Sequence, residues 1–405
     1  MRFIKGENVK AWWVVPLLLM AASCAVKAQS AVALYGSIDV GFLLNSNREG
    51  SAVARLSDNG IRGNRLGVTG TEQLRGSNVA IFRLENGFNA TTGTAAQGQR
   101  LFGSQAYVGL ANQLGALFAG RQINADVSVI SVNFAASAQW AGVLGAHPAD
   151  VDNLYGTFRV PAALKYVFRK PEGLEFQILY APGGVTDAGS RAWVASAAVR
   201  YSGGPVSFGA SYNNAHLPNV GLAAGTSDSG STVDAGSVNY VSPVVSGFSS
   251  ASTYQVFSVA ASCTCGAVTL NLLYTNARFG NLGALGAGPN PQQYNGSAVF
   301  STIEVSGRYS LSPSLFIGAA YAVTARNSVA TAGVSDGLGG ARYAQGTVAI
   351  QYFLQKAAFL YLEAMTQQAS GTDSTGQVAV AANNALGPSS NAQQRAVRVG
   401  LNVSF

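Results

Sequence analysis

Beyond residue 28 the chain carries two histidines, His147 and His216, and two cysteines, Cys263 and Cys265. A hydrolytic site needs a histidine within hydrogen-bond reach of a nucleophile and a polar group that orients it. The two histidines fall in separate loop-like stretches, AGVLGAHPAD and SYNNAHLPN, with no nucleophile motif beside either. The cysteines stand two apart in AASCTCGAV. A bridge between them would close a small strained ring, and a metal would need further ligands. We read the pair as a turn feature. No glycine-rich phosphate loop or metal-ligand spacing occurs, so the expectation is neither an enzyme nor a cofactor or metal protein. No Lys/Arg run with interleaved aromatics occurs either, which argues against a nucleic-acid partner.

The residues left to do chemistry are arginines and aspartates. Arginine stays charged even beside other cations. Arg65, Arg83, Arg121 and Arg159 fall on the polar parity of alternating segments, so the expectation is that all four point to one side of a sheet. Arg83 with Glu85 also reads as a simple wall pair, and Arg121 as a brace for the loop that follows it. Asp150 and Asp152 read equally well as turn caps, and His147, next to Pro148, as a loop residue.

The elements that must position these groups are short alternating runs. VALYGSIDVGFLL sets Val32, Leu34, Ile38, Val40, Phe42 and Leu44 against small or polar partners, and STIEVSGRYS sets Ile303, Val305 and Tyr309 against Glu304 and Arg308. The closing RAVRVGLNVSF does the same, with Val397, Val399, Leu401, Val403 and Phe405 on one face. Segments of this kind begin near residues 32, 61, 78, 101, 116, 161, 173, 192, 205, 251, 266, 300, 314, 343, 357 and 395. Tight connectors such as KPEG, SGGP and LQKA alternate with long ones at 45–60, 89–100, 122–160, 214–250, 279–299, 327–342 and 370–394. Short turns alternating with long loops predict an all-β transmembrane antiparallel barrel of about 16 strands, turns on the periplasmic side. Charged residues are 11% and mean hydropathy is only +0.20, the composition of a wall that is apolar outside and polar inside. Tyr35, Tyr107, Tyr166, Tyr201, Tyr309 and Tyr352 are expected at its interfacial girdles.

Residues 1–28 read as a cleaved secretory signal peptide: basic Arg2, Lys5 and Lys10, an apolar AWWVVPLLLMAA, and the small-x-small site Val26-Lys27-Ala28. Residues 29–405 form the barrel domain. Of 25 basic and 18 acidic residues, the leader takes Arg2, Lys5, Lys10, Lys27 and Glu7; 21 against 17 leaves a net charge of +4.

NRLGVTGTEQLRGSNVAIFRLENGF, RLFGSQAYVGLANQLGALFAGRQ, YFLQKAAFLYLEA and RVGLNVSF resemble successive hairpins and the terminal strand of the Gram-negative porin family of trimeric general-diffusion outer-membrane porins. The resemblance implies that loop 122–160, the third long loop, folds into the barrel and carries Asp126, Asp150 and Asp152 as the acidic side of a constriction. It implies a basic side of Arg65, Arg100 and Arg159, joined by Arg83 and Arg121 from parity. Arg100 is out of phase with outward Ala106, Val108 and Leu110, so it reaches the lumen only if its strand bulges or ends before it. The expected function is a water-filled channel in the outer membrane of a Gram-negative bacterium. It would pass small hydrophilic solutes and inorganic ions passively, with a weak anion preference. The expected partners are a homotrimer, outer-membrane lipid and the barrel assembly machinery, which would read Phe405. The alternatives are a substrate-selective channel on the same barrel and a non-conducting adhesin or anchor. Ser104, where such proteins often carry a basic residue, and PAALKY after Arg159 depart from the family pattern.

Overall fold

The computed structural model describes residues 31–183, 192–222, 242–332 and 334–405; the expected signal peptide, 1–28, lies outside them. The alternating runs form strands because their two faces meet different solvents. Every backbone group that faces lipid must find a partner within the sheet, and a closed barrel is the strand arrangement that achieves this. The chain closes 16 antiparallel strands. They are β1 Ala31–Arg48, β2 in two pieces (Ser51–Asp58 and Arg65–Gln73), β3 Val79–Gly87, β4 Gln105–Asn112, β5 Gly115–Gln122, β6 Val160–Arg169, β7 Leu174–Ala181 and β8 Val194–Gly203. The circuit continues through β9 Val206–His216, β10 Thr253–Cys265, β11 Val268–Leu282, β12 Tyr294–Ser312, β13 Leu315–Arg326, β14 Ala341–Gln355, β15 Ala358–Gly371 and β16 Gln393–Ser404. Each pairs with its neighbour in sequence, and β16 pairs with β1 from Ser37↔Ser404 to Asn45↔Ala396. Among the described residues no single helix is long and apolar enough to cross a membrane; the strands do the crossing.

The outward rows are those read from the sequence. Ile38, Phe42 and Leu44 on β1, Ile303 and Val305 on β12, and Val397, Val399, Leu401 and Val403 on β16 are exposed, while their polar alternates are covered. The terminal backbone is locked, since Gly36 N–H donates to Phe405 O at 2.9 Å and Phe405 N–H to Gly36 O at 3.1 Å. Phe405 is 58% exposed on the outer face.

The structure corrects three expectations about elements. Stretch 45–60 is not a long loop: Glu49 and Gly50, at φ of 52° and 97°, make a tight turn, and Ser51–Asp58 runs straight back as a strand. It reads as a loop because only the short run AVARL interrupts its Asn, Ser, Arg, Asp, Glu and Gly residues. The real irregularity is the gap between the two pieces of β2, where 59–64 leave the wall. Tyr35 and Tyr107 are not girdle residues: both point inward and face the Arg83 guanidinium, at 5.4 and 6.0 Å from their ring centres. Tyr201, Tyr309 and Tyr352 are exposed on the outside as expected.

Candidate pore constriction

Loop 123–159 folds into the barrel because it is too apolar to stand in water. Its irregular helical turns put Val129, Ile130 and Phe134 against Ala198, Ala260 and Leu273 of β8, β10 and β11. Trp140 packs with Phe316 of β13 and Ala349 of β14. Wall amides then satisfy the loop's free carbonyls: Gln345 Nε2 donates to Leu144 O and Ala146 O at 3.0 Å each, and Gln351 Nε2 to Trp140 O at 2.7 Å. Long polar side chains on the inner face thus replace the backbone partners that an irregular loop lacks.

With the loop lying against β8–β14, the open lumen remains on the opposite side. A cavity of about 790 Å³ runs between the loop and the wall of β1–β4. Its wall side carries Arg55, Arg62, Arg65 and Arg398, with Asp58 and Glu85 among them. Its loop side carries the uncharged Val127, Val132, Ser137, Val143, Tyr155 and Thr157 and, at its last residue, Arg159. Glu85 is well partnered: Tyr35 Oη donates to Oε2 at 2.8 Å and Ser104 Oγ to Oε1. Ser104, noted as a departure, is therefore a neutral donor to this carboxylate. Asp58 accepts from the Thr91 amide and hydroxyl, both at 3.1 Å.

The acidic residues of the loop do not face this cavity. Asp126, Asp150 and Asp152 are 0%, 4% and 0% exposed, on the loop's buried side. Asp150 accepts from the Tyr155 and Thr157 amides at 2.8 and 2.9 Å and from the Thr157 hydroxyl at 2.6 Å, so it caps a turn. Asp152 accepts from Thr275 Oγ1 of β11 at 2.6 Å and lies 2.7 Å from His147 Nδ1. The other imidazole nitrogen, Nε2, lies 3.2 Å from Glu304 of β12, whose second oxygen accepts from the Ala136 amide at 2.8 Å. Burial alone would push the His147 imidazole down; the two carboxylates outweigh it and hold its pKa well above the usual range. For Asp152, burial opposes ionisation but His147 prevails, keeping its pKa low. Burial pushes Asp126 and Asp150 up to about 7, with Asp152 adding to both shifts. His147, expected as a plain loop residue, is the centre of a buried charge bridge from loop to wall.

The arginines also divide. Arg65 and Arg159 share the cavity. Arg83 points inward but is held between the Tyr35 and Tyr107 rings instead of pairing with Glu85. Strand β4 begins at Gln105, so Arg100 escapes the phase conflict and sits in loop 88–104, where its Nη1 donates to Gln97 O at 2.7 Å. Arg121 does not follow its expected parity. It stands opposite Ala106, on the outward row of Val108 and Leu110, and its Nε donates to Gly103 O at 2.7 Å, bracing the neighbouring loop. Arg62 and Arg55 are additions that the sequence patterns do not single out. Arg62 lies in the break of β2, which no periodicity marks. The inward parity of Arg55 is masked because its strand has the composition of a loop.

A closed transmembrane barrel with a loop folded inside it and a cation-rich opening beside that loop is a channel of the outer-membrane type. The chain belongs to the Gram-negative porin family, whose profile matches residues 17–372. It is 40% identical over 122 residues to an outer membrane porin protein of Bordetella pertussis. That match covers 26% of this chain and 32% of the relative, so the chain spans about a third of the length of that curated protein. Among solved structures, the anion-selective porin from Comamonas acidovorans is similar with a TM-score of 0.68 at 17% identity, covering 93% of this chain and 100% of that one. The trimer form of OmpT of Vibrio cholerae is similar with a TM-score of 0.62 at 15% identity, over 93% of this chain and 99% of that one. At these identities the structural likeness speaks for the fold. Family and fold place the protein in the outer membrane and point to a channel rather than an enzyme.

Proposed function

We propose that the protein is a passive, trimeric diffusion channel for small hydrophilic solutes and ions with a preference for anions. The observation that carries this reading is the asymmetry of the cavity: Arg55, Arg62, Arg65, Arg159 and Arg398 line it against only Asp58 and Glu85, while the three loop aspartates are turned away and buried. Fixed charge at a narrow point of a water-filled pore biases which ions enter. One unit charge at about 10 Å through water is worth about 0.4 kcal/mol. A net excess of two or three charges then gives about 0.8–1.2 kcal/mol, or a four- to eightfold preference. The anion selectivity named for the Comamonas acidovorans porin and the trimer form of Vibrio cholerae OmpT are consistent with this reading. Residues 1–28 would be removed on export, and Phe405 would be read by the assembly machinery. A substrate-selective channel would need a stacking aromatic track or a denser basic ladder along the lumen. An adhesin or anchor on the same barrel would insert but not conduct.

The test is the zero-current potential of single channels under a potassium chloride gradient. A reversal potential on the anion side, reduced in Arg65→Ser and Arg159→Ser, is expected. A cation-side potential in the wild type overturns the charge assignment, and a folded barrel that inserts without conducting overturns the channel.

A further inference from the structure

The break in β2 is a built element with its own fastening. Val40↔Asp58 and Ser37↔Arg65 are consecutive registers, so two residues of β1 face six residues, 59–64, on the other side. Asp39, 0% exposed, takes up the amides this excursion would otherwise leave unpaired. Its Oδ1 accepts from Gly60 N–H at 3.1 Å, and its Oδ2 from Ile61 N–H at 3.1 Å and Arg62 N–H at 3.0 Å. Tyr361 Oη donates to Oδ1 at 2.5 Å, and Arg398 Nη2 lies 3.3 Å from the same oxygen. Arg398 in turn donates to the carbonyls of Ser57 and Asp58, at 3.1 and 3.2 Å. One buried ion pair therefore grips the near end of the interruption: the carboxylate holds the amides of 60–62 and the guanidinium the carbonyls of Ser57 and Asp58 just before them. Charge-assisted bonds of this kind are about twice as strong as neutral ones.

The inward loop rests on this excursion. Val143 N–H donates to Gly60 O at 2.9 Å, and Tyr155 Oη to Asn59 O at 3.4 Å. Gly142 has φ of 49°, and a Cβ added there would lie 2.0 Å from Gly60 O. The contact therefore admits no side chain.

We infer that Asp39 is the positioning residue of the constriction: by fastening 59–64 into the lumen it presents Arg62 to the passing ion and gives the inward loop its second support. This rests on the channel reading but not on the sign of its selectivity. The opening is then bounded by two elements, the loop and the strand break, and its width depends on a carboxylate that no solute touches.

In Asp39→Asn the amide nitrogen cannot accept, so one or more of the three backbone donors loses its partner and Arg398 loses its counter-charge. The experiment is single-channel recording of the refolded trimer with neutral polyethylene glycols of graded size. Asp39→Asn is expected to raise conductance by about half, admit a larger polymer and add current noise, because the supported edge is released. Arg62→Ser is expected to move the reversal potential toward cations while conductance and polymer cut-off stay within about a tenth of wild type. Should Asp39→Asn fail to assemble, Gly142→Ala separates loop and excursion without touching the ion pair and is expected to widen the cut-off in the same direction. An assembled Asp39→Asn, or in its absence Gly142→Ala, with wild-type conductance, noise and cut-off overturns the inference. Because the polymer cut-off is blind to charge, a cation-side reversal potential in the wild type would sink the selectivity reading alone.

Discussion

His147 is the most exposed point in the logic of the loop, because three buried ionisable groups depend on one proton. Doubly protonated, it donates to Asp152 through Nδ1 and to Glu304 through Nε2; neutral, it donates to only one. Its folded pKa is raised above the unfolded value of about 6.5, so the docking stability it contributes is complete below that pH and is lost as pH rises through the higher folded value. Asp126 and Asp150, pushed up to about 7, act with the same sign: they cost nothing below their unfolded value of about 3.9 and oppose docking increasingly as pH rises to about 7. Asp152, with its pKa lowered, works the other way, adding stability above its unfolded value of about 3.9 and losing it in acid. Docking should therefore be firmest in mildly acid solution and loosen toward alkaline pH. Removing one partner of a buried ion pair costs about 3–5 kcal/mol, because the remaining charge is left uncompensated. At about 1.4 kcal/mol per tenfold change, His147→Ala should raise the undocked population of the loop by two to three and a half powers of ten. The assay is open-channel noise and gating frequency between pH 5 and 9, in wild type and variant. Wild-type channels should become noisier above neutrality, and the variant should be noisy throughout with a flattened pH response. Quiet, pH-independent records from both would refute the argument that this bridge holds the loop.

Deleting Phe405 removes both backbone bonds to Gly36 and the last outward aromatic ring, so the yield of heat-modifiable trimer on gels should fall severalfold; normal assembly would leave the terminus without a role. Trp140→Ala empties the pocket shared with Phe316 and Ala349 and should cost about 3–5 kcal/mol of loop docking, read as loop cleavage by an added protease. Gly318→Val should give the same phenotype from the wall side, because a Cβ there would lie 2.5 Å from the Trp140 indole; resistance to protease in both variants would contradict the packing argument.

The sequence by itself determined the barrel. The period-2 alternation, the short and long connectors and the terminal row ending at Phe405 each reflect a strand with lipid on one side and water on the other, a constraint that acts residue by residue and so leaves its mark locally. Arg65, beside outward Leu66, has its direction set by its strand neighbours, whereas Arg159 closes the inward loop, where no alternation applies. The rest belongs to the tertiary structure. Asp150 and Asp152 look like pore charges until Thr157, Thr275 and His147, gathered from the loop and β11, close over them, and Asp126 until the docked loop buries it completely. Arg121 is the exception, since it follows exposed Leu117 and Ala119 outward, opposite Ala106, by the plain alternation of its own strand. Arg62 gains its place only when Asp39 and Arg398, 359 residues apart, meet at the seam where the last strand joins the first. Whether a charge faces water or is buried depends on which distant donors reach it, and closing the ring of strands brings those donors together.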